Sequence, residues 1–130
     1  MSATITLFRP IGTKELALIE ASGFAGFPPR LPEQPIFYPV TNEAYAIQIA
    51  RDWNTKSDDK LGFVTRFEVS AQFLSKYERK VVGGKAHEEY WIPADELEAF
   101  NDAIVGKIEV IGRFTESDRL QHEQAKSVHA

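Results

Sequence analysis

Cysteine is absent from the 130-residue chain, which excludes disulfides, thiolate metal ligands and a cysteine nucleophile. Long apolar runs are missing too: none approaches the roughly 20 residues of a membrane-spanning helix. Met1-Ser2-Ala3-Thr4 carries no charged segment followed by an apolar one, so no secretory signal is read. A cytoplasmic protein without a membrane partner is the expectation. There is no basic excess, since 15 Lys and Arg stand against 19 Asp and Glu for a net charge of −4. Without a basic stripe, a nucleic-acid partner is not expected. No serine sits in a glycine-flanked strand-to-helix elbow. Gly83-Gly84 is followed by no Lys-Ser or Lys-Thr pair and reads as a hairpin turn, not a phosphate loop. The histidines His87, His122 and His129 lack the i, i+4 spacing on a firm helix that a zinc hydrolase uses, so no metal is expected.

What is present is ordinary globular composition, 43% hydrophobic and 26% charged, in a chain long enough for one domain with a real core. Strand-like pieces are read at Ile5 to Phe8, Ile36 to Val40, Leu61 to Val69, Glu78 to Val82, His87 to Ile92 and Lys107 to Phe114. The third alternates, with Phe63, Thr65, Phe67 and Val69 on one side and Val64, Arg66 and Glu68 on the other. Thr13 to Ala21 reads as a helix ended by Gly23 in a left-handed conformation. A second helix follows a cap at Thr41 or Asn42, with Ala46, Ile49, Ala50 and Trp53 as its buried stripe. Ser70 caps a short helix through Tyr77, and Pro93 is placed at the first position of a helix carrying Leu97, Phe100 and Ile104. Between Gly23 and Pro35, four prolines forbid helix and inner strand, and Phe24, Phe27 and Leu31 are expected to lay this loop over the core. Residues 1–114 form one α+β domain in this reading, and the polar residues 115–130 form a frayed helix or disordered tail.

The run His87-Glu88-Glu89-Tyr90-Trp91-Ile92-Pro93 is the most informative stretch, because acidic residues are depleted in strands. Either these carboxylates lie on a solvated edge, or one of them points into a cleft and does chemistry, since neighbours on a strand face opposite sides. Trp53 and Trp91 are read as core residues, and Arg66 with Glu68 as a solvated or cross-strand pair.

Three blocks give this chain a resemblance to the small bacterial members of the ADP-ribosyltransferase superfamily, above all to short chains labelled "ADP-ribosylation/crystallin". They are Leu7-Phe8-Arg9-Pro10 with the helix ending Ser22-Gly23-Phe24, then Ile36-Phe37-Tyr38-Pro39-Val40-Thr41 with Ala44-Tyr45-Ala46, then Glu89-Tyr90-Trp91-Ile92-Pro93. The strand Val105 to Ile111 is similar to the last strand of these transferases, and the likeness spans roughly Thr6 to Phe114. The "crystallin" half of the label suggests an all-helical hydrolase, which this strand-rich sequence does not support. The resemblance implies a compact fold of two small, mostly antiparallel sheets with short helices around an NAD+ cleft. It implies NAD+ as substrate, an acceptor not readable from the sequence (protein or small molecule), and release of nicotinamide. Glu89 takes the place of the catalytic glutamate, Arg9 that of a pyrophosphate or ribose ligand, Phe37 or Tyr38 that of a ring stacked on nicotinamide, and Thr41 that of a cap or ligand contact. The proline-rich loop would serve as a lid. His87 stands where arginine-modifying relatives carry the first residue of Glu–x–Glu. A catalytically silent binding domain of the same fold is the second reading, and a nucleic-acid-processing transferase a weaker third.

Overall fold

The centre of the fold is β3 (Leu61–Ser70), whose alternating sequence buries both faces along most of its length. Phe63, Thr65, Phe67 and Val69 face the larger core, while Val64 on the other face packs with Ala46 and Ala50 of α2 (Glu43–Asp52). β1 (Thr4–Ile11) pairs with it antiparallel, from Thr4 opposite Ser70 to Ile11 opposite Phe63. β7 (Ile104–Thr115) pairs antiparallel on its other side, with register shifts between Val64 and Thr65 and between Arg66 and Glu68. The computed structural model describes residues 3–57, 59–82 and 87–129, with the backbone alone for 126–129. The turn at Gly83-Gly84 lies outside those residues.

Two small antiparallel pairs complete the strands: β2 (Ile36–Phe37) with β6 (Ile92–Pro93), and β4 (Arg79–Val81) with β5 (Glu88–Tyr90). The protein is thus a mixed α and β fold of small antiparallel sheets with, among the described residues, five α-helices. α1 (Thr13–Ala21) ends as expected, with Gly23 at φ +74° and Phe24 also left-handed at φ +61°, so that the Phe24 N–H returns to the Ile19 carbonyl at 2.9 Å. Asn42 caps α2, its Oδ1 accepting from the Tyr45 N–H at 3.1 Å. α3 (Ala71–Leu74) is capped by Ser70.

Several expectations need correction. Pro93 does not begin a helix. Its ψ of 141° is extended, it pairs with Ile36, and a 3-10 turn over Ala94–Glu96 precedes α4 (Leu97–Asp102). Ile104 accordingly belongs to β7 and not to that helix. The second strand stops at Phe37, and Val40 makes only isolated bridges. Trp53 is not part of the buried stripe, at 64% exposure: α2 ends at Asp52, so its ring leaves the helix and rests under Lys56 Nζ, 4.7 Å away. Phe27 anchors the proline loop, edge-on to Phe67 at 4.8 Å, but Leu31 is exposed. Arg66 pairs with Glu109 at 3.6 Å, whereas Glu68 accepts from the Thr4 and Thr6 hydroxyls. The polar tail forms α5 (Glu116–His129), opened by reciprocal capping between Thr115 and Asp118 and packed against α2 and β7. No described helix is long and apolar enough to cross a membrane.

Candidate active site

Val40 joins the ribbon β4–β5 to the main sheet. It exchanges both backbone hydrogen bonds with Phe8 at 2.8 Å, and on its other side bridges Glu89. The Thr41 N–H donates to the Glu88 carbonyl at 3.1 Å and the Tyr90 N–H to the Pro39 carbonyl at 2.9 Å. Residues opposite one another across an antiparallel pair share a face. Phe8, Val40 and Glu89 therefore project together toward α2, where Phe8 and Tyr45 pack around Val40. Beyond this bridge Pro10 has no N–H to offer the edge of β1.

Glu89 is 8% exposed. Its Oε1 accepts from the Trp91 indole N–H at 2.8 Å, and its Oε2 from the Tyr45 hydroxyl at 3.3 Å. Both donors are neutral, and among the described residues no cation pairs with this carboxylate. Tyr45 keeps its proton more firmly than an ordinary tyrosine, first because of burial, then because of the charge of Glu89 and the hydrogen bond to it. The His87 ring stacks on Tyr45, 4.3 Å between centroids and 9° from parallel. Glu88 faces away, as strand alternation requires: its Oε1 accepts from the Thr41 hydroxyl at 2.9 Å and lies 3.6 Å from Arg79.

Arg9 is buried on β1 with its guanidinium 4.5 Å above the Phe37 ring. Its Nε and Nη2 donate to Glu15 Oε2 and Oε1 at 2.6 and 3.0 Å, a forked pair with the first turn of α1. The Nη1 side of the fork carries no protein partner among the described residues. Tyr38 is 38% exposed and meets Trp91 edge-on at 5.8 Å.

Arg9, Tyr38 and Glu89 border one cleft of about 300 Å³, whose wall is otherwise Pro10, Val40, Ile49 and Asn54. Two other expected ligands lie elsewhere. Phe37 is a core residue at 1% exposure, so its ring is not available for stacking. Thr41 is turned to Glu88 and does not line the cleft. Trp91 is not core, at 40% exposure, and holds the carboxylate instead. That role had a signal, since residues two apart on extended chain share a face. Tyr45 had a weaker one: nothing local said which strand the first turn of α2 would face. A larger cavity of about 440 Å³ under the proline loop, by Phe27, Asp95 and Asn101, holds none of the expected residues. Among the described residues no three His, Asp or Glu side chains gather as a metal site would require. No protein-family profile, curated protein or solved structure matches the chain.

Proposed function

We propose that the protein is an NAD+-dependent ADP-ribosyltransferase acting on an acceptor nucleophile, with the chemistry at Glu89. The observation that carries this reading is a cleft-lining carboxylate held by two neutral donors, with an arginine fork and an exposed tyrosine on the same rim. A carboxylate with no cation beside it keeps its full attraction for positive charge that develops on a substrate. In glycosyl transfer from NAD+ the bond between ribose and nicotinamide breaks, its electron pair leaves with nicotinamide, and the ribosyl carbon is captured by the acceptor, which gives up a proton. Glu89 would stabilise the ribosyl cation and accept from a ribose hydroxyl, since each carboxylate oxygen retains a lone pair beyond the bond it now makes. Tyr38 would cover the nicotinamide ring, and the open side of Arg9 would hold a phosphate oxygen. A cleft of about 300 Å³ is at the small end for a ligand site, which suits one nucleoside half of NAD+ with the remainder over its rim.

The test is nicotinamide release from NAD+ by wild type and by Glu89→Gln and Glu88→Gln variants. The expected result is release by wild type and Glu88→Gln and its loss, by about a hundredfold or more, in Glu89→Gln. Wild type that releases none would remove the transferase reading. The low exposure of Glu89 favours a second reading, a silent domain in which this carboxylate only ties β5 to α2. That reading predicts a Glu89→Gln variant that melts earlier with no activity to lose.

A further inference from the structure

We propose that the cavity at the start of α1 takes the adenosine end of the nucleotide, with Asp59 accepting from its ribose. This rests on the transferase reading for the identity of the nucleotide, but the continuity of cleft and cavity does not. The cavity measures about 430 Å³, with Gly12 to Glu15 on one wall and Ser57 and Asp59 on the other. Both walls continue those of the cleft. Pro10 of the cleft and Gly12 of the cavity lie two apart on extended chain, so they share a face while Ile11 between them enters the core. Asn54 of the cleft and Ser57 of the cavity stand at the two ends of one 3-10 turn, the Ser57 N–H donating to the Asn54 carbonyl at 3.0 Å. Side chains three apart in such a turn eclipse, so these two share a face as well. Arg9 of the cleft reaches Glu15 of the cavity directly, at 2.6 and 3.0 Å. From Arg9 to Gly12 the extended chain runs about 10 Å, which leaves room for a diphosphate at Arg9 with a nucleoside on either side. The lining of the cavity has the chemistry of a ribose site. Asp59 Oδ1 accepts from the Ser57 hydroxyl at 2.8 Å and the Leu61 N–H at 3.3 Å, and Thr13 donates to the same carboxylate. A carboxylate offers about four acceptor positions, so Asp59 is held in place with capacity left for a ribose hydroxyl. A Cβ at Gly12 would meet nothing within 4 Å, so a flat base has open backbone there to lie on, beside the methylenes of Lys14. A phosphate on the ribose 2′ position would instead meet the charge of Asp59.

Calorimetric titration of the full chain with adenosine 5′-monophosphate (AMP) tests this. Wild type is expected to bind AMP, and to bind adenosine 2′,5′-bisphosphate about tenfold less tightly at low ionic strength. Gly12→Phe fills the cavity from a backbone position whose φ of −96° suits any residue, and should weaken AMP about tenfold or more. Asp59→Asn, which keeps the shape but not the charge, should narrow the preference between the two nucleotides. Arg66→Gln, out on the main sheet, should bind both as wild type does. Wild type that binds no AMP overturns the site, as does equal affinity for the two nucleotides. So does a Gly12→Phe variant that melts normally and binds AMP as wild type. Should Gly12→Phe not fold, Asp59→Asn with an unchanged preference overturns it equally. AMP binding that Gly12→Phe abolishes, in a wild type that releases no nicotinamide from NAD+, upholds the site and removes only the transferase reading. Nicotinamide release with a KM for NAD+ that Gly12→Phe leaves unchanged does the reverse.

Discussion

The chemistry proposed for the cleft depends on how the single residue Glu89 is held. Trp91 and Tyr45 each hold one oxygen of its carboxylate, which removes the rotational freedom an exposed glutamate would keep. Trp91→Phe deletes one donor while retaining most of the ring. Loss of a hydrogen bond to a charged group costs about 1.5–3 kcal/mol, so nicotinamide release by Trp91→Phe should fall roughly ten- to a hundredfold. Steady-state kinetics should place the loss mainly in kcat, and an unchanged kcat would show that Trp91 does not position the carboxylate. Two tyrosines set an alkaline limit. Tyr45 is pushed up by burial and by Glu89, and Tyr77 by burial and by its hydrogen bond to Glu96. Groups raised in the folded state stabilise it fully below their unfolded value, about 10 for tyrosine, and that stability is lost as pH rises above it. Chemical denaturation should therefore show stability falling above pH ~10, and Tyr77→Phe should flatten the fall. Asp59 behaves oppositely. Hydrogen bonds from Thr13 and Ser57 lower its pKa, so its contribution is present above about pH 4 and lost as pH falls further.

At the scale of elements, α2 sits so closely on β3 that only glycine fits at Gly62. A Cβ there would run into the Ala50 carbonyl oxygen and stand 2.8 Å from Asn54 Cβ. Gly62→Ala should cost on the order of 1–3 kcal/mol by overpacking, read as a lower melting temperature. Gly12→Ala, where a Cβ meets nothing within 4 Å, should cost far less. Periodicity made β3 and the body of α2 legible, because each alternates or repeats against the core, while α1 was legible from Leu16 and Ile19 on one face and from the glycine that ends it. Periodicity carries no information on where an element stops, and this is why Trp53 and Pro93 were misplaced. The stripe through Ala46 and Ala50 points to Trp53, but the helix ends one residue short of it. Pro93 suits a helix start equally well as an extended residue, and pairing with Ile36 chose the second. The tail was legible only in part. Its polar composition reads as a frayed helix or disorder, and the capping pair within Thr115-Glu116-Ser117-Asp118 opens α5.

At the scale of the whole molecule, the site depends on one long-range junction. Phe8, Val40 and Glu89 come from three distant parts of the sequence and meet only because Val40 pairs on both sides. The alternation that assigns Glu89 one face and Glu88 the other is local and was readable. The face on which α2 would lie, and so the part played by Tyr45, was not. Val40→Pro, which removes the N–H donated to Phe8, should uncouple the ribbon from the sheet. Hydrogen exchange should then accelerate at Glu88–Tyr90 while β3 stays protected. The proposed function has NAD+ in the cleft bordered by Arg9, Tyr38 and Glu89. Amide chemical-shift mapping during titration with NAD+ tests it most directly. The shifts should centre on Arg9, on Tyr38 and Val40, and on Glu89 to Trp91, with Phe27 and Asn101 in the other cavity unchanged. Shifts confined to that second cavity, or none at millimolar NAD+, would contradict the claim.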